Sequence, residues 1–218
     1  MIFNNESAKK VAQSLLQIKA IKLQPSNPFT WASGWKSPIY CDNRKILSYP
    51  KIRTFIRQQF VEVIENEYPN VDTIVGVATG GIAIGALIAE DMGLPFVYVR
   101  SSAKGHGMQN LIEGEVPTGK NVVVIEDLIS TGGSSLKAVD ALRESNCNVL
   151  GMAAIFTYDF EVANNNFNQY DCKLITLSDY NALIKTAEAD NYISQQDVNS
   201  LSQWRKDPAN WQPEKINS

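Results

Sequence analysis

The run Val122-Val123-Val124-Ile125-Glu126-Asp127-Leu128-Ile129-Ser130-Thr131-Gly132-Gly133-Ser134 constrains this chain more than any other stretch. It opens as a short apolar, β-branched segment, the pattern of a strand buried on both faces of a parallel sheet. Two adjacent carboxylates follow where that strand is expected to end. A loop of small, hydroxylated and glycine residues comes next, and then an amphipathic helix through Leu136, Val139, Ala141 and Leu142. Thr131, Gly132, Gly133 and Ser134 can turn N–H groups and hydroxyls toward one point at a helix N-terminus, a natural seat for a phosphate. Glycine suits that loop because a Cβ would hold an anion away from the backbone. Glu126 and Asp127 would repel the phosphate if they faced it. They belong beside a neutral, hydroxyl-rich group such as a ribose, or beside a bound Mg²⁺, so the combination points to a phosphorylated sugar. The bland alternative is an ordinary βα turn with an acidic cap. The Gly-Lys-Ser/Thr ending of a P-loop is absent, and so is a Gly-x-Gly-x-x-Gly after a strand.

The rest of the chain supplies the sheet this strand needs. Ala8, Val11, Ala12, Leu15, Leu16 and Ile18 have helical spacing over residues 6–20. Asn27 to Arg44 is dense in aromatics, glycine and proline, with Lys36 and Arg44 as its cations. Such an insert can form a small hood over the end of a sheet, or simply a β-hairpin packed on the core. A helix begins near Ser48-Tyr49-Pro50, with serine as cap and proline in the first turn. Strand and helix then alternate, which implies a parallel sheet. The expected strands are 73–78, 96–99, one from Asn121, 149–157 and 173–177; the expected helices are 82–92, the one after Ser134, 159–168 and 178–189. The polar tail beyond Ile193 is expected to form a docked helix that frays, with Trp204 and Trp211 as packing anchors.

Between two strands lies a polar loop, residues 100–114, with three glycines, two permanent cations and the only histidine of the chain. Few apolar residues hold it, so it is expected to be mobile without ligand and to suit a lid over an anionic substrate. At 218 residues the chain can bury one good core. The expected organisation is a single 1–218 domain, with a hood mainly at 24–47, a core of about 48–190 and a tail of about 191–218. A net charge of −3 argues against generic nucleic-acid binding. No run is long enough to span a bilayer and the start lacks a signal-type apolar segment. Cys41, Cys147 and Cys172, odd in number and far apart, read as reduced thiols of a cytoplasmic protein.

The 122–134 run resembles the phosphoribosyl pyrophosphate (PRPP) signature of type I phosphoribosyltransferases. That resemblance implies their α/β fold, a central, mostly parallel sheet flanked by helices with a small N-terminal hood. It also implies that Glu126 and Asp127 contact the ribose hydroxyls, and that Leu128, Ile129, Ser130, Thr131, Gly132, Gly133 and Ser134 hold the 5′-phosphate. The loop at 100–114 is similar to the catalytic loop of orotate phosphoribosyltransferases, which makes Arg100, Lys104 and His106 ligands of the pyrophosphate. In that family the loop reaches the partner subunit of a homodimer. The segment Ser33-Gly34-x-Lys36-Ser37-Pro38-Ile39-Tyr40 resembles the hood that covers orotate, with Tyr40 and Cys41 lining the pocket and Ser130 meeting the base.

The resemblance covers roughly residues 5–180 and departs at places. Ala32 and Ser101 stand where some relatives carry lysine, Thr79-Gly80 replaces a Tyr-Lys pair, and an arginine that holds the orotate carboxylate aligns near Phe160. Lys36 and Arg44 are then the nearby candidates, and a shorter bacterial subgroup is the better match. The implied reaction transfers the phosphoribosyl group from PRPP to N1 of orotate, giving orotidine 5′-monophosphate and pyrophosphate in UMP biosynthesis. Lys104 and Asp127 are its implied catalytic residues. Mg²⁺, the expected cofactor, would be held mainly through PRPP rather than by a protein cage. Two other functions stay open: transfer to another nucleobase, and a non-enzymatic PRPP-sensing regulator.

Overall fold

The computed structural model describes residues 1–31, 34–101 and 111–213. Its centre is a six-stranded sheet in the order β10-β9-β8-β5-β6-β7. These strands are β5 (Thr73–Val77), β6 (Phe96–Val99), β7 (Ile112–Glu113), β8 (Asn121–Ile129), β9 (Asn148–Thr157) and β10 (Leu174–Asp179). Every pairing is parallel except β6 with β7. The apolar run on β8 is explained by its position, since it lies between β5 and β9 with residues 122–126 all buried.

Helices cover both faces. On one lie α1 (Asn5–Gln17), α2 (Pro50–Glu67), α3 (Gly80–Met92) and α6 (Tyr180–Ala189), which share a buried cluster with Val123 and Ile125. On the other lie α4 (Gly133–Glu144) and α5 (Glu161–Gln169), whose Leu136, Val139 and Phe167 pack with Val122 and Val124. Alternate residues of β8 therefore feed different cores, as the pleat requires. The chain leaves β5 in one direction along the sheet and β8 in the other, so the C-terminal ends of these two neighbours form a switch point. α3 and α4 start there on opposite faces, which leaves a crevice for ligand.

The hood consists of two small antiparallel ladders. β1 (Ile21–Leu23) pairs with β4 (Ile39–Cys41), and β2 (Phe29–Thr30) pairs with β3 (Lys36–Ser37). A 3-10 turn, Asn43–Ser48, leads into α2. The tail folds as α7 (Gln195–Lys206), capped by a reciprocal Ser194–Asp197 box. Trp204 and Trp211 are both buried, as packing anchors should be.

Several boundaries differ from expectation. β8 runs on through Ile129, so Glu126 and Asp127 lie inside the strand instead of following it. Pairing with β9 continues to Ile129↔Thr157, and that ladder outweighs the poor strand propensity of two acids. Ser48 does not cap α2; Tyr49 occupies that position and makes no side-chain cap bond, while Pro50 fills the first turn. Helix α3 starts at Gly80 rather than 82, and α6 starts after Asp179, whose carboxylate accepts from the Ala182 N–H. Residues 112–113 of the expected loop form a short antiparallel strand on β6. Lys104 and His106 lie outside the described residues, as do Ala32, Ser33 and the last five positions of the tail.

Candidate active site

The crevice at the ends of β5 and β8 is built from short segments with little side-chain bulk. After β5 the peptide between Ala78 and Thr79 is cis, and α3 begins at once with Gly80. A Cβ at Gly80 would overlap the carboxylate of Asp127, so that side chain lies directly against the start of α3. Asp127 thus turns toward the start of α3. Its neighbour Glu126 turns toward α4, where the Ser135 hydroxyl donates to Glu126 Oε2 at 2.9 Å and the Asp127 N–H donates to Oε1 at 3.0 Å.

Glu126 is almost fully buried. Burial, and then the neighbouring Asp127 charge, push its carboxyl up from the usual 4.5 to about 8, against the two hydrogen bonds that favour the anion.

The turn after β8 leaves a helix start open. Gly132 is the N-cap of α4, with φ 82°, and has no side chain to cap the first-turn N–H groups. A Cβ there would also stand 2.7 Å from the Phe167 ring, so both conformation and packing demand glycine. Thr131, Gly133 and Ser134 are exposed around that turn, beside the positive end of the helix dipole. The arrangement can receive a phosphate.

On the hood side, Thr30, Trp31, Tyr40, Cys41, Leu128 and Tyr158 line a cleft of about 360 Å³, and Ser130 completes it. Its wall is aromatic and its size suits one planar ring. Asn43 ties this cleft to the acid pair. Its buried amide donates to the Asp127 carbonyl at 2.7 Å, while the Cys41 thiol donates to Asn43 Oδ1 at 3.2 Å. Burial, with the charges of Asp127 and Asp42 adding to it, keeps that thiol protonated.

The sequence-derived residues distribute as follows. Glu126, Asp127, Ser130, Thr131, Gly132, Gly133 and Ser134 meet around the crevice, and Tyr40 and Leu128 face the cleft. Ile129 has its side chain wholly in the core under α4 and can offer only its backbone. Lys36 is not in the cleft wall; its Nζ donates to the Thr30 hydroxyl at 2.7 Å and so braces a residue that is. Arg44 is exposed and paired with Asp42 at 2.7 Å, near enough to Asp127 and Tyr40 for their charges to favour its cation. Arg100, at the end of β6, pairs with Glu113 of β7 at 3.2 Å. Among the described residues no group of three or more His, Cys, Asp or Glu could hold a metal by itself.

Residues 43–191 match the phosphoribosyl transferase domain family. An orotate phosphoribosyltransferase from Phocaeicola vulgatus is 58% identical over 204 residues, covering 94% of this chain and 96% of that protein. The chain belongs to the orotate phosphoribosyltransferase family. Another family member, from Porphyromonas gingivalis, is 57% identical over 93% of this chain and 97% of its own length. The crystal structure of the orotate phosphoribosyltransferase from Aeropyrum pernix superposes with a TM-score of 0.73 at 26% identity, covering 84% of this chain and 99% of that one. The type I fold expected from the signature is therefore the fold of this family member.

Sequence reasoning missed Trp31, Tyr158, Asn43 and Ser135. Tyr158 immediately follows β9, and ligands of open parallel sheets collect at C-terminal strand ends, so its position carried a signal. Asn43 and Ser135 carried none, because their roles depend on distant partners.

Proposed function

We propose that the chain transfers the phosphoribosyl group of PRPP to N1 of orotate, giving orotidine 5′-monophosphate and pyrophosphate on the route to UMP. One observation supports this reading above others. An acid pair, an open helix start and an aromatic cleft of about 360 Å³ converge at one switch point, in the order sugar, phosphate and base require. The turn at Thr131–Ser134 receives the 5′-phosphate through its N–H groups and hydroxyls. Asp127 and Glu126 take the ribose hydroxyls. Orotate lies in the cleft against Tyr40 and Ser130, with Arg44 as the candidate for its carboxylate.

Charge development assigns the remaining roles. As the C1–O bond breaks, its electron pair leaves with pyrophosphate, the ribose becomes oxocarbenium-like, and the N1 lone pair of orotate forms the new bond. Anions beside the sugar and cations beside the leaving group stabilise that transition state. Arg100 and Lys104 are the cations, His106 is a further donor to the pyrophosphate, and Asp127 orients the ribose. Mg²⁺ would be held chiefly by PRPP oxygens, with Asp127 and Glu126 as the nearby protein carboxylates. Bound with PRPP, the ion neutralises diphosphate charge.

We read the active form as a cytoplasmic homodimer in which the 100–114 loop serves the partner's site. Free thiols at Cys41, Cys147 and Cys172 suit a reducing compartment, and no helix among the described residues is long and apolar enough to cross a membrane. The test is spectrophotometric. Orotate absorbance should fall when PRPP and Mg²⁺ are added, and uracil, adenine and hypoxanthine should leave PRPP unconsumed. Consumption of another base with orotate untouched would overturn the assignment.

A further inference from the structure

The cleft wall stands only partly on the phosphoribosyl transferase domain. That domain matches residues 43–191. Trp31, on the hood, and Trp204, on α7, both lie outside it, yet their rings meet edge-on with centroids 5.6 Å apart. Trp204 is fully buried and also contacts Tyr158 at 5.8 Å, Phe160 at 5.6 Å and Tyr180 at 5.7 Å. Two of those neighbours, Trp31 and Tyr158, are cleft-lining rings that contact each other at 5.5 Å. Trp204 itself does not line the cleft.

Two features mark this contact as more than core filling. The indole Nε1 of Trp204 is buried without a hydrogen-bond partner among the described residues. Leaving an N–H unpaired in a core is unfavourable, and leucine or phenylalanine would fill space without doing so. What the position uses is a flat aromatic ring, and the indole reaches four rings at once. The helix is also fastened at the residues that carry the wall. Arg205 donates to the Asp159 carbonyl at 3.0 Å and to its carboxylate at 2.8 Å, and to Asn181 Oδ1 at 2.7 Å. The Tyr180 hydroxyl donates to the Leu201 carbonyl at 2.9 Å. Asp159 directly follows Tyr158 and adopts a left-handed turn, φ 54°, so Arg205 holds the backbone from which Tyr158 enters the cleft.

We infer that Trp204 is a positioning residue for the nucleobase: the C-terminal helix, through Trp204 and Arg205, sets the spacing of Trp31 and Tyr158 and thereby the fit of the planar base. The inference rests on the function proposed above. It is specific to one substrate, because the phosphate turn and the acid pair are built on β8 and α4, which have no ring in this cluster.

The test is a KM split. Trp204→Leu should raise KM for orotate about tenfold while KM for PRPP stays within about twofold, and Trp204→Phe, aromatic but narrower, should recover only part of the loss, leaving KM for orotate raised about threefold. Arg205→Gln should shift KM for orotate in the same direction by about threefold. Circular dichroism and urea unfolding monitor folding; if Trp204→Leu does not fold, Arg205→Gln and Trp204→Phe carry the same comparison. An active wild type whose variants change both KM values in parallel, or neither, overturns this inference alone. A wild type that does not consume orotate overturns the proposed function and this inference together.

Discussion

At Glu126, burial and the charge of Asp127 act together, and the consequence can be read in stability. The folded carboxyl binds its proton more tightly than the unfolded one, so this group favours folding at low pH. That contribution is fully present below the ordinary value of 4.5 and is lost as pH rises through about 8. Glu126→Gln removes the titration, so the unfolding free energy of wild type relative to this variant should fall steadily across that window. Urea unfolding of both proteins at several pH values checks it, and parallel profiles would contradict it. Asp127 has a different task, because its carboxylate faces the crevice beside Gly80. Asp127→Asn should weaken PRPP binding, measured by titration calorimetry, since the ribose hydroxyls lose a charged acceptor. Lys104→Ala should lower turnover by about 10²–10³-fold if the lysine meets the leaving group in the transition state. Unchanged steady-state turnover would remove that role.

At the scale of elements, the junction of β8 and α4 carries the proposed phosphate turn, and its most exacting position is Gly132. A left-handed N-cap and contact with Phe167 both oppose a side chain there. Gly132→Ala should cost about 1–2 kcal/mol from conformation alone, more if Phe167 cannot shift, and should raise KM for PRPP. Chemical denaturation and kinetics on one preparation test both parts. This junction was largely legible in sequence, because a buried parallel strand, an acid pair and a glycine turn are local patterns. The end of β8 was not: Glu126 and Asp127 look like strand breakers until the ladder to β9 is seen to continue past them. The hood was legible as an aromatic insert, but not as two separate ladders, and Lys36 could be singled out by charge without revealing that it braces Thr30. Tyr158 and Trp204 escaped as a pair since their contact joins residues far apart in the chain, which no local spacing records.

At the scale of the whole molecule, the proposed homodimer with an exchanged loop makes a prediction that a monomer cannot satisfy. Lys104→Ala and Asp127→Asn would each disable every site of their own homodimers. Mixed after brief unfolding, they form heterodimers in which one site receives both defects and the other receives neither. Random reassortment should restore about a quarter of wild-type activity. Recovery at the level of the separate variants would show that each chain completes its own site. Within one chain, the side chain of Asn43 is held at both ends, by the thiol of Cys41 on the hood and by the main chain of Asp127 in the sheet. A short amide gripped this way behaves as a ruler. It sets how far the aromatic wall stands from the end of β8, so if base and pentose bind as proposed, the gap between attacking nitrogen and sugar carbon would be written into the resting frame before either reactant arrives.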